Sequence, residues 1–450
     1  MNFSKITINQ LLIMILFILM IVLLIVSIKL DFYLCIFAIF VSLIYLVLNK
    51  LCKDSFISKI YLTTTLFHFL FVIFLNVLKY HILNLPTVDG IAGIGIDNDN
   101  ITYHTQAIKI LNGDNSSFLF YSYLVSYIYR ILGISEIPVC FVSALISGFI
   151  PIVLYQMAKK IIFDQNIINL FSYIIAFSFT IAAYTSVMMR DVYIMLFSYL
   201  IIYLYSVFQE HRKILYLFLT LICFVLLCLF RAYAGIAVLG ACICTHLYKV
   251  SYMKFKNKKL KINKYMIIST ILGLCILVSI IIFQSFLKID YIISLFDMET
   301  ILKVSEVGYG GANSSFGIDR IALAKCLPLF LLVGYACMFF APFPHQWLLS
   351  KNIVQAFSAS ETILLYIFLQ PSFFIGKYKG FKNKNFIIIA SFLYILFVFT
   401  FYGMILDNSG AVFRGRSPFI PLIYLISFYN LRGILKKIII RLLQIRQKKQ

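Results

Sequence analysis

Residues Tyr80 to Ser117 read YHILNLPTVDGIAGIGIDNDNITYHTQAIKILNGDNSS, a polar stretch set between long apolar runs. It carries Asp89, Asp97, Asp99, Asp114, His81 and His104, with glycines at 90, 93, 95 and 113. Irregular, charged backbone is not stable against hydrocarbon, because its N–H and C=O groups find no partner there. The stretch therefore belongs in water between membrane helices, and its acidic core, IDNDNITYHTQA at Ile96 to Ala107, is expected to lie over the mouth of a membrane-embedded site.

Composition points the same way. The chain has 450 residues, of which 62% are hydrophobic and 12% charged. The charged share is about half the roughly 25% usual in soluble domains. Apolar runs recur along its length, and about 18 or more consecutive apolar residues suffice to cross a bilayer. The expected class is an all-α polytopic protein of the cell membrane, one integral domain over residues 1–450. Lys and Arg number 39 against 17 Asp and Glu, a formal charge of +22. The basic residues sit in short clusters between apolar runs, which is the positive-inside pattern and not a nucleic-acid patch. The ten cysteines lie mostly in or beside apolar runs and show no zinc spacing with histidine, so they read as small buried hydrophobes. The first apolar run, from about 10 to 27, is too long for a signal-peptide core and reads as an uncleaved helix.

Lysine clusters mark cytoplasmic turns, and they order the crossings. Spans are expected at about 9–29, 31–48, 57–79, 137–157, 165–187, 191–208, 213–230, 232–249, 265–288, 360–376, 385–406 and 417–431, about 12 in all, with both termini cytoplasmic. Two apolar runs break the parity. Residues 118–132 are short, rich in tyrosine and closed by Arg130 and Gly133, and are expected to lie in the outer interface. Residues 326–340, with Pro328 near their start, are expected to be re-entrant or interfacial. The outer loops then cover 80–136 and 289–359, and 432–450 forms a basic cytoplasmic tail that anchors against anionic lipid.

Charges at span ends are the informative anomaly, because a charge at the bilayer centre costs about 2.5 to 3.5 kcal/mol even on the lenient insertion scale. Arg190 and Asp191 in SVMMRDVYIM, Arg231 in CLFRAYAG, and Arg320, Arg414 and Arg416 all fall on the outer side of this topology, with the acidic loop. Arginines gathered against the usual bias suit a phosphate clamp; the plainer alternative is snorkelling helix anchors. Asp97 and Asp99 could supply a base for an acceptor hydroxyl, or bind a divalent cation such as Mg2+ or Mn2+ that neutralises a diphosphate. Asp99 could equally cap the helix that starts near Asn100. Two loop aspartates do not define a coordination shell, and no other cofactor is implied. His104 could be a base or ligand, or simply be hydrogen-bonded.

Asp99, Tyr103 and Ala107 form D-x-x-x-Y-x-x-x-A in the first large outer loop. The pattern resembles that of GT-C membrane glycosyltransferases related to protein O-mannosyltransferases and the lipid A aminoarabinose transferase. YSYLVSYIYRILGIS, YQMAKKIIF, MMRD, LFRAYAG, APFPHQW followed by Glu361, and FRGRSPFIP resemble relatives in bacterial surface-polysaccharide pathways. The resemblance implies inverting transfer of a sugar from a polyprenyl-phosphate donor, at the outer face, to a glycan, lipid or protein acceptor. Asp99 matches the loop carboxylate, and Asn100 stands where a second acidic residue often follows. Asp99 is then the expected base, with Asp97 or Glu361 assisting. Arg190, Arg231, Arg414 and Arg416 are the expected phosphate clamps, and Asp191, Tyr103, His104 and Arg320 further substrate contacts. His345 and Trp347 could line a sugar site or belong to an interfacial aromatic belt. Alternatives are an oligosaccharide repeat-unit polymerase using similar arginines, or a flippase, which would need charges along a path through the bilayer.

Overall fold

The computed structural model describes residues 28–52, 54–77, 87–88, 91–92, 99–114, 118–255, 326–341, 361–363, 365, 369–405 and 409–447. Among these, regular structure is helical apart from one antiparallel pair of two-residue strands, β1 (Thr87–Val88) and β2 (Ile91–Ala92), with Thr87 opposite Ala92. The helices are α1 (Ile28–Leu51), α2 (Ser55–Val77), α3 (Asp99–Leu111), α4 (Phe120–Leu132), α5 (Glu136–Ser147), α6 (Phe149–Lys159), α7 (Gln165–Ala176) and α8 (Phe179–Thr185). They continue with α9 (Asp191–His211), α10 (Ile214–Phe255), α11 (Leu327–Phe340), α12 (Gln370–Lys382), α13 (Phe386–Ile405), α14 (Ser409–Arg416) and α15 (Ile420–Gln447).

Among the described residues, seven stretches are long and apolar enough to cross a membrane: Tyr33–Leu51, Ser55–Asn76, Glu136–Lys159, Asp191–His211, Ile214–Ser251, Phe386–Ile405 and Ala411–Ile438. The pair α7 and α8, bent by 41°, makes an eighth if it is one span. The protein is all-α and membrane-embedded. Its outward faces fit that solvent: Ile39, Phe40, Leu43, Leu46 and Val47 of α1, and Ile214, Leu215, Phe218, Ile222 and Val225 of α10, are exposed. The first expected crossing and the one at about 265–288 lie outside the described residues.

The longest helix is in fact a hairpin. At about 1.5 Å per residue a straight helix of its length would reach twice the roughly 30 Å hydrocarbon thickness. Arg231 interrupts it with φ −160° and ψ 93°. On one side of the break Phe230 takes a hydrogen bond from Arg190 at the start of α9, and beyond it His246 meets Gln209 at the far end of α9 (2.7 Å). The chain therefore rises beside α9 and returns along it. Gly235 permits the close turn, since a Cβ there would collide with Cys228 Sγ. The expected spans at 213–230 and 232–249 are these two arms.

The returning arm runs antiparallel to α13, with Tyr233 against Tyr402 at one end and Lys249 over Phe386 at the other. Asp191 and Glu210, at opposite ends of α9, are about 28 Å apart by helical rise. Two poles result. One holds Asp99, Asp191, Arg231, Tyr402 and Arg414, and the other Asp54, Lys159, Lys160 and Glu210.

Two expected boundaries move. The crossing expected at about 360–376 falls partly outside the described residues, which show helix at 361–363 and α12 from Gln370 to Lys382. The last crossing starts earlier than 417: α14 leads through a 3-10 turn, Ser417–Phe419, into α15. The basic segment at 432–450 continues α15 as helix to Gln447. The runs with odd parity are short, as their sequence requires: α4 has 13 residues and α11 has 14. Buried Tyr121, Val125, Ile128 and Tyr129 share one face of α4, while Tyr123, Tyr127 and Ile131 face out. The nine described cysteines are all free thiols, five of them buried.

Candidate functional site

Helix α3 places Asp99, Tyr103 and Ala107 four residues apart, on one stripe of the helix. Tyr103 and Ala107 are buried, and so are Asn100 and His104 beside them. The Asp99 side chain keeps 39% exposure. Tyr103 reaches back over one turn, its hydroxyl 3.5 Å from Asp99 Oδ2. Its ring meets Tyr121 edge-on (4.9 Å) and lies 5.9 Å from the Arg190 guanidinium. Burial raises the Tyr103 phenol above its usual range, and the positive charge of Arg190 offsets this only in part. Tyr103 therefore acts as a neutral hydroxyl donor. His104 Nδ1 meets the Tyr129 hydroxyl at 2.9 Å, and that hydroxyl donates on to Met188 Sδ at 3.5 Å. This joins α3 to α4, so the hydrogen-bonded reading of His104 describes its place.

Asp191 opens α9, where the helix dipole favours a carboxylate. It is fully buried and bridges two arginines from distant elements: Oδ1 lies 3.5 Å from Arg231 Nη1, and Oδ2 3.5 Å from Arg414 Nη2. Arg414 also turns Nη1 toward Asp99 Oδ2 at 2.8 Å. Arg231, at the bend of the α10 hairpin, donates to the Tyr402 hydroxyl at 2.9 Å, and that hydroxyl contacts Tyr233. A continuous polar chain thus runs Asp99, Arg414, Asp191, Arg231, Tyr402. Arg190 flanks it and donates to the Phe230 carbonyl at 2.8 Å. Among the described residues the group holds three guanidinium charges against two carboxylates, a balance of +1.

Two buried arginines repel unless a carboxylate stands between them, and desolvating each is expensive. Asp191 meets that need. The Nε atoms of Arg190 and Arg231 are buried without a hydrogen-bond partner among the described residues. These unfilled guanidinium N–H groups belong to the same cluster as Asp99, whose side chain is 39% exposed.

Glu361 and Arg416 belong to a different group. The Glu361 carboxylate accepts from Ser178 Oγ (2.8 and 3.0 Å), from the Thr180 backbone N–H (2.9 Å) and from the Tyr424 hydroxyl (2.9 Å). It closes the N-terminus of α8 and ties it to α15. The expectation that it assists as a base meets a carboxylate already committed as a cap. Arg416 donates to the Phe339 carbonyl at 2.9 Å and to Thr362 Oγ1 at 3.3 Å. It stands two residues from Arg414 on a helix, roughly 200° around the axis, so the two arginines serve different neighbours.

Of the expected site residues, Asp99, Tyr103, Arg190, Asp191, Arg231 and Arg414 come together. Asp97, Arg320, His345 and Trp347 lie outside the described residues. Tyr402 and Tyr233 are additions. Both are tyrosines within apolar helices, a signal that marks a hydroxyl needing a partner but not which partner.

Among the described residues no group of three or more His, Cys, Asp or Glu side chains is arranged to hold a metal ion. Among the described residues, Asp99 and Asp191 are each paired with guanidinium groups, which would repel a divalent cation. No family model matches the chain, and no curated protein matches it.

Proposed function

We propose that the protein is an inverting membrane glycosyltransferase of GT-C type. It moves a sugar from a polyprenyl-phosphate donor to a glycan, lipid or protein acceptor in cell-surface polysaccharide assembly. In this reading about 12 helices cross the membrane with both termini cytoplasmic, and the Asp99 pole faces outward. The distribution of charge supports that orientation, since Lys159 and Lys160 sit at the other pole.

The observation that carries the reading is the 2.8 Å approach of Asp99 Oδ2 to Arg414 Nη1, at the exposed end of the buried run through Asp191 to Arg231. The carboxylate that opens α3 meets the guanidinium of Arg414 from α14, and Asp191 at the start of α9 joins that arginine to Arg231 at the α10 bend, elements far apart in the chain. The acceptor hydroxyl oxygen attacks the anomeric carbon and passes its proton to Asp99. The bond from that carbon to the phosphate oxygen breaks, and the oxygen leaves with the electron pair as polyprenyl phosphate. Arg190, Arg414 and Arg231 stabilise the charge that develops there.

A flippase is the weaker reading, because the buried carboxylates and arginines at Asp191, Arg231 and Arg414 cluster at one pole and do not line a path between the two. The test supplies the purified full chain with monosaccharyl polyprenyl phosphate and a hydroxyl acceptor in nanodiscs. Single-sugar transfer that disappears in Asp99→Asn is expected. Transfer only of oligosaccharide from a lipid diphosphate, or an Asp99→Asn variant as active as wild type, overturns it.

A further inference from the structure

Asp99 is held by the same arginine that a donor phosphate would need. Arg414 Nη1 lies 2.8 Å from Asp99 Oδ2, the oxygen the Tyr103 hydroxyl also approaches. Arg414 and an acceptor's proton then compete for the negative charge of one carboxylate. We propose that an anionic phosphate group and the Asp99 carboxylate exchange on Arg414, so that arrival of the donor's phosphate frees the carboxylate for chemistry. This rests on the transferase reading above and specifies how its site is armed.

Three observations favour exchange over a fixed pair. The two carboxylates on Arg414 differ in depth: the Asp191 side chain has 0% exposure and is held by a second arginine, whereas that of Asp99 has 39%. Asp99 is therefore the partner that can be displaced. Arg190 pairs with no carboxylate among the described residues, spends one N–H on the Phe230 carbonyl, and keeps its Nε buried without a partner. It is the first landing point for an anion. Finally, among the described residues of the cluster three guanidinium charges stand against Asp99 and Asp191, an excess of one positive charge that a phosphodiester balances. Without the exchange that phosphate would have to share Arg414 with Asp99 at like-charge distance.

The consequence separates this device from a structural ion pair. Removing the Asp99 charge removes the competitor, so phosphate binding should tighten in the same variant that loses transfer. The displaced pair is intermediate between an exposed ion pair and a buried charged hydrogen bond, which sets the expected gain at roughly tenfold.

Binding of geranylgeranyl phosphate and of inorganic phosphate to the detergent-solubilised full chain is measured by calorimetry for wild type, Asp99→Asn and Asp99→Glu. Asp99→Asn is expected to bind geranylgeranyl phosphate about tenfold more tightly than wild type, with Asp99→Glu near wild type. A gain for both ligands shows that the phosphate group alone is read, and a gain for the lipid phosphate alone assigns the site to a lipid headgroup. Equal or weaker binding of both ligands by Asp99→Asn overturns the exchange, as does geranylgeranyl phosphate failing to bind any of the three. Should Asp99→Asn misfold, infrared difference spectra of the wild type decide. A shift of an ionised carboxylate band on adding geranylgeranyl phosphate, absent in Asp99→Glu bearing a labelled side chain at its own frequency, supports exchange, and no shift overturns it. None of these readouts needs turnover, so absent transfer with intact exchange sinks only the transferase reading.

Discussion

The two poles of the bundle are both built from ion pairs, yet they behave as different materials. At one pole Asp191 lies between Arg231 and Arg414, with side-chain exposures of 0%, 9% and 10%. At the other, Lys159 pairs with Asp54 at 40% and 33% exposure, and Lys160 with Glu210 at 19% and 54%. Water screens the lysine pole, where such pairs are worth about 0 to 1 kcal/mol. The arginine pole is shielded, and breaking a buried pair there costs about 3 to 5 kcal/mol because a charge is left alone. A protein that needed its arginines only as anchors would have no reason to desolvate them, which is why the contrast supports a site.

The sharpest way to break this comparison is to neutralise Asp191. Asp191→Asn leaves Arg231 and Arg414 facing each other without a counter-charge. It is expected to destabilise the detergent-solubilised protein by about 3 kcal/mol or more, read as a lower melting temperature and reduced folded yield. Lys160→Ala, at the other pole, should stay within about 1 kcal/mol of wild type. Equal effects at the two poles would remove the distinction.

Asp99→Asn comes next. Transfer should fall about 100-fold or more, as expected for loss of a general base, while the melting temperature moves little because the side chain is part exposed. A large stability loss with residual transfer would make Asp99 a structural residue.

Tyr402→Phe has a smaller effect. It removes the hydroxyl that accepts from Arg231 and touches Tyr233, and should cost about 1 to 2 kcal/mol. Transfer should fall only several-fold, since Arg231 keeps Asp191. A loss as large as that of Asp99→Asn would place Tyr402 against the substrate.

How far the residues themselves announce this arrangement depends on range. Local pattern is legible: spacing of four puts Asp99, Tyr103 and Ala107 on one stripe, and the short runs at 118–132 and 326–340 became helices of 13 and 14 residues. The same rule also separates Arg414 from Arg416, since two residues on a helix point nearly opposite ways. What no local pattern carries is the identity of a distant partner. Asp191 meets Arg414 across 223 positions, and Glu361 meets Ser178 across 183. Glu361 following APFPHQW suggests a base, yet its neighbours in space are a serine hydroxyl, a backbone N–H and a tyrosine, which make it a helix cap.

The finest test of the comparison lies at the lysine pole, at Asp54 in the turn between α1 and α2. Burial alone would raise its carboxyl. Hydrogen bonds from the Tyr155 hydroxyl and the Phe56 N–H, together with Lys159, outweigh that and hold it below the usual carboxylate range. A carboxyl depressed on folding contributes stability above its unfolded pKa, and that contribution is lost as pH falls through the folded value. Melting temperature followed from pH 6 down to about 3 should therefore fall more steeply in wild type than in Asp54→Asn, the two curves converging at the acid end. The gap at pH 6 should be smaller than that caused by Asp191→Asn, because water reaches Asp54 and screens its partners. Parallel curves would show that the turn owes nothing to this carboxylate's charge. A gap as large as that of Asp191→Asn would show that the lysine pole is shielded too.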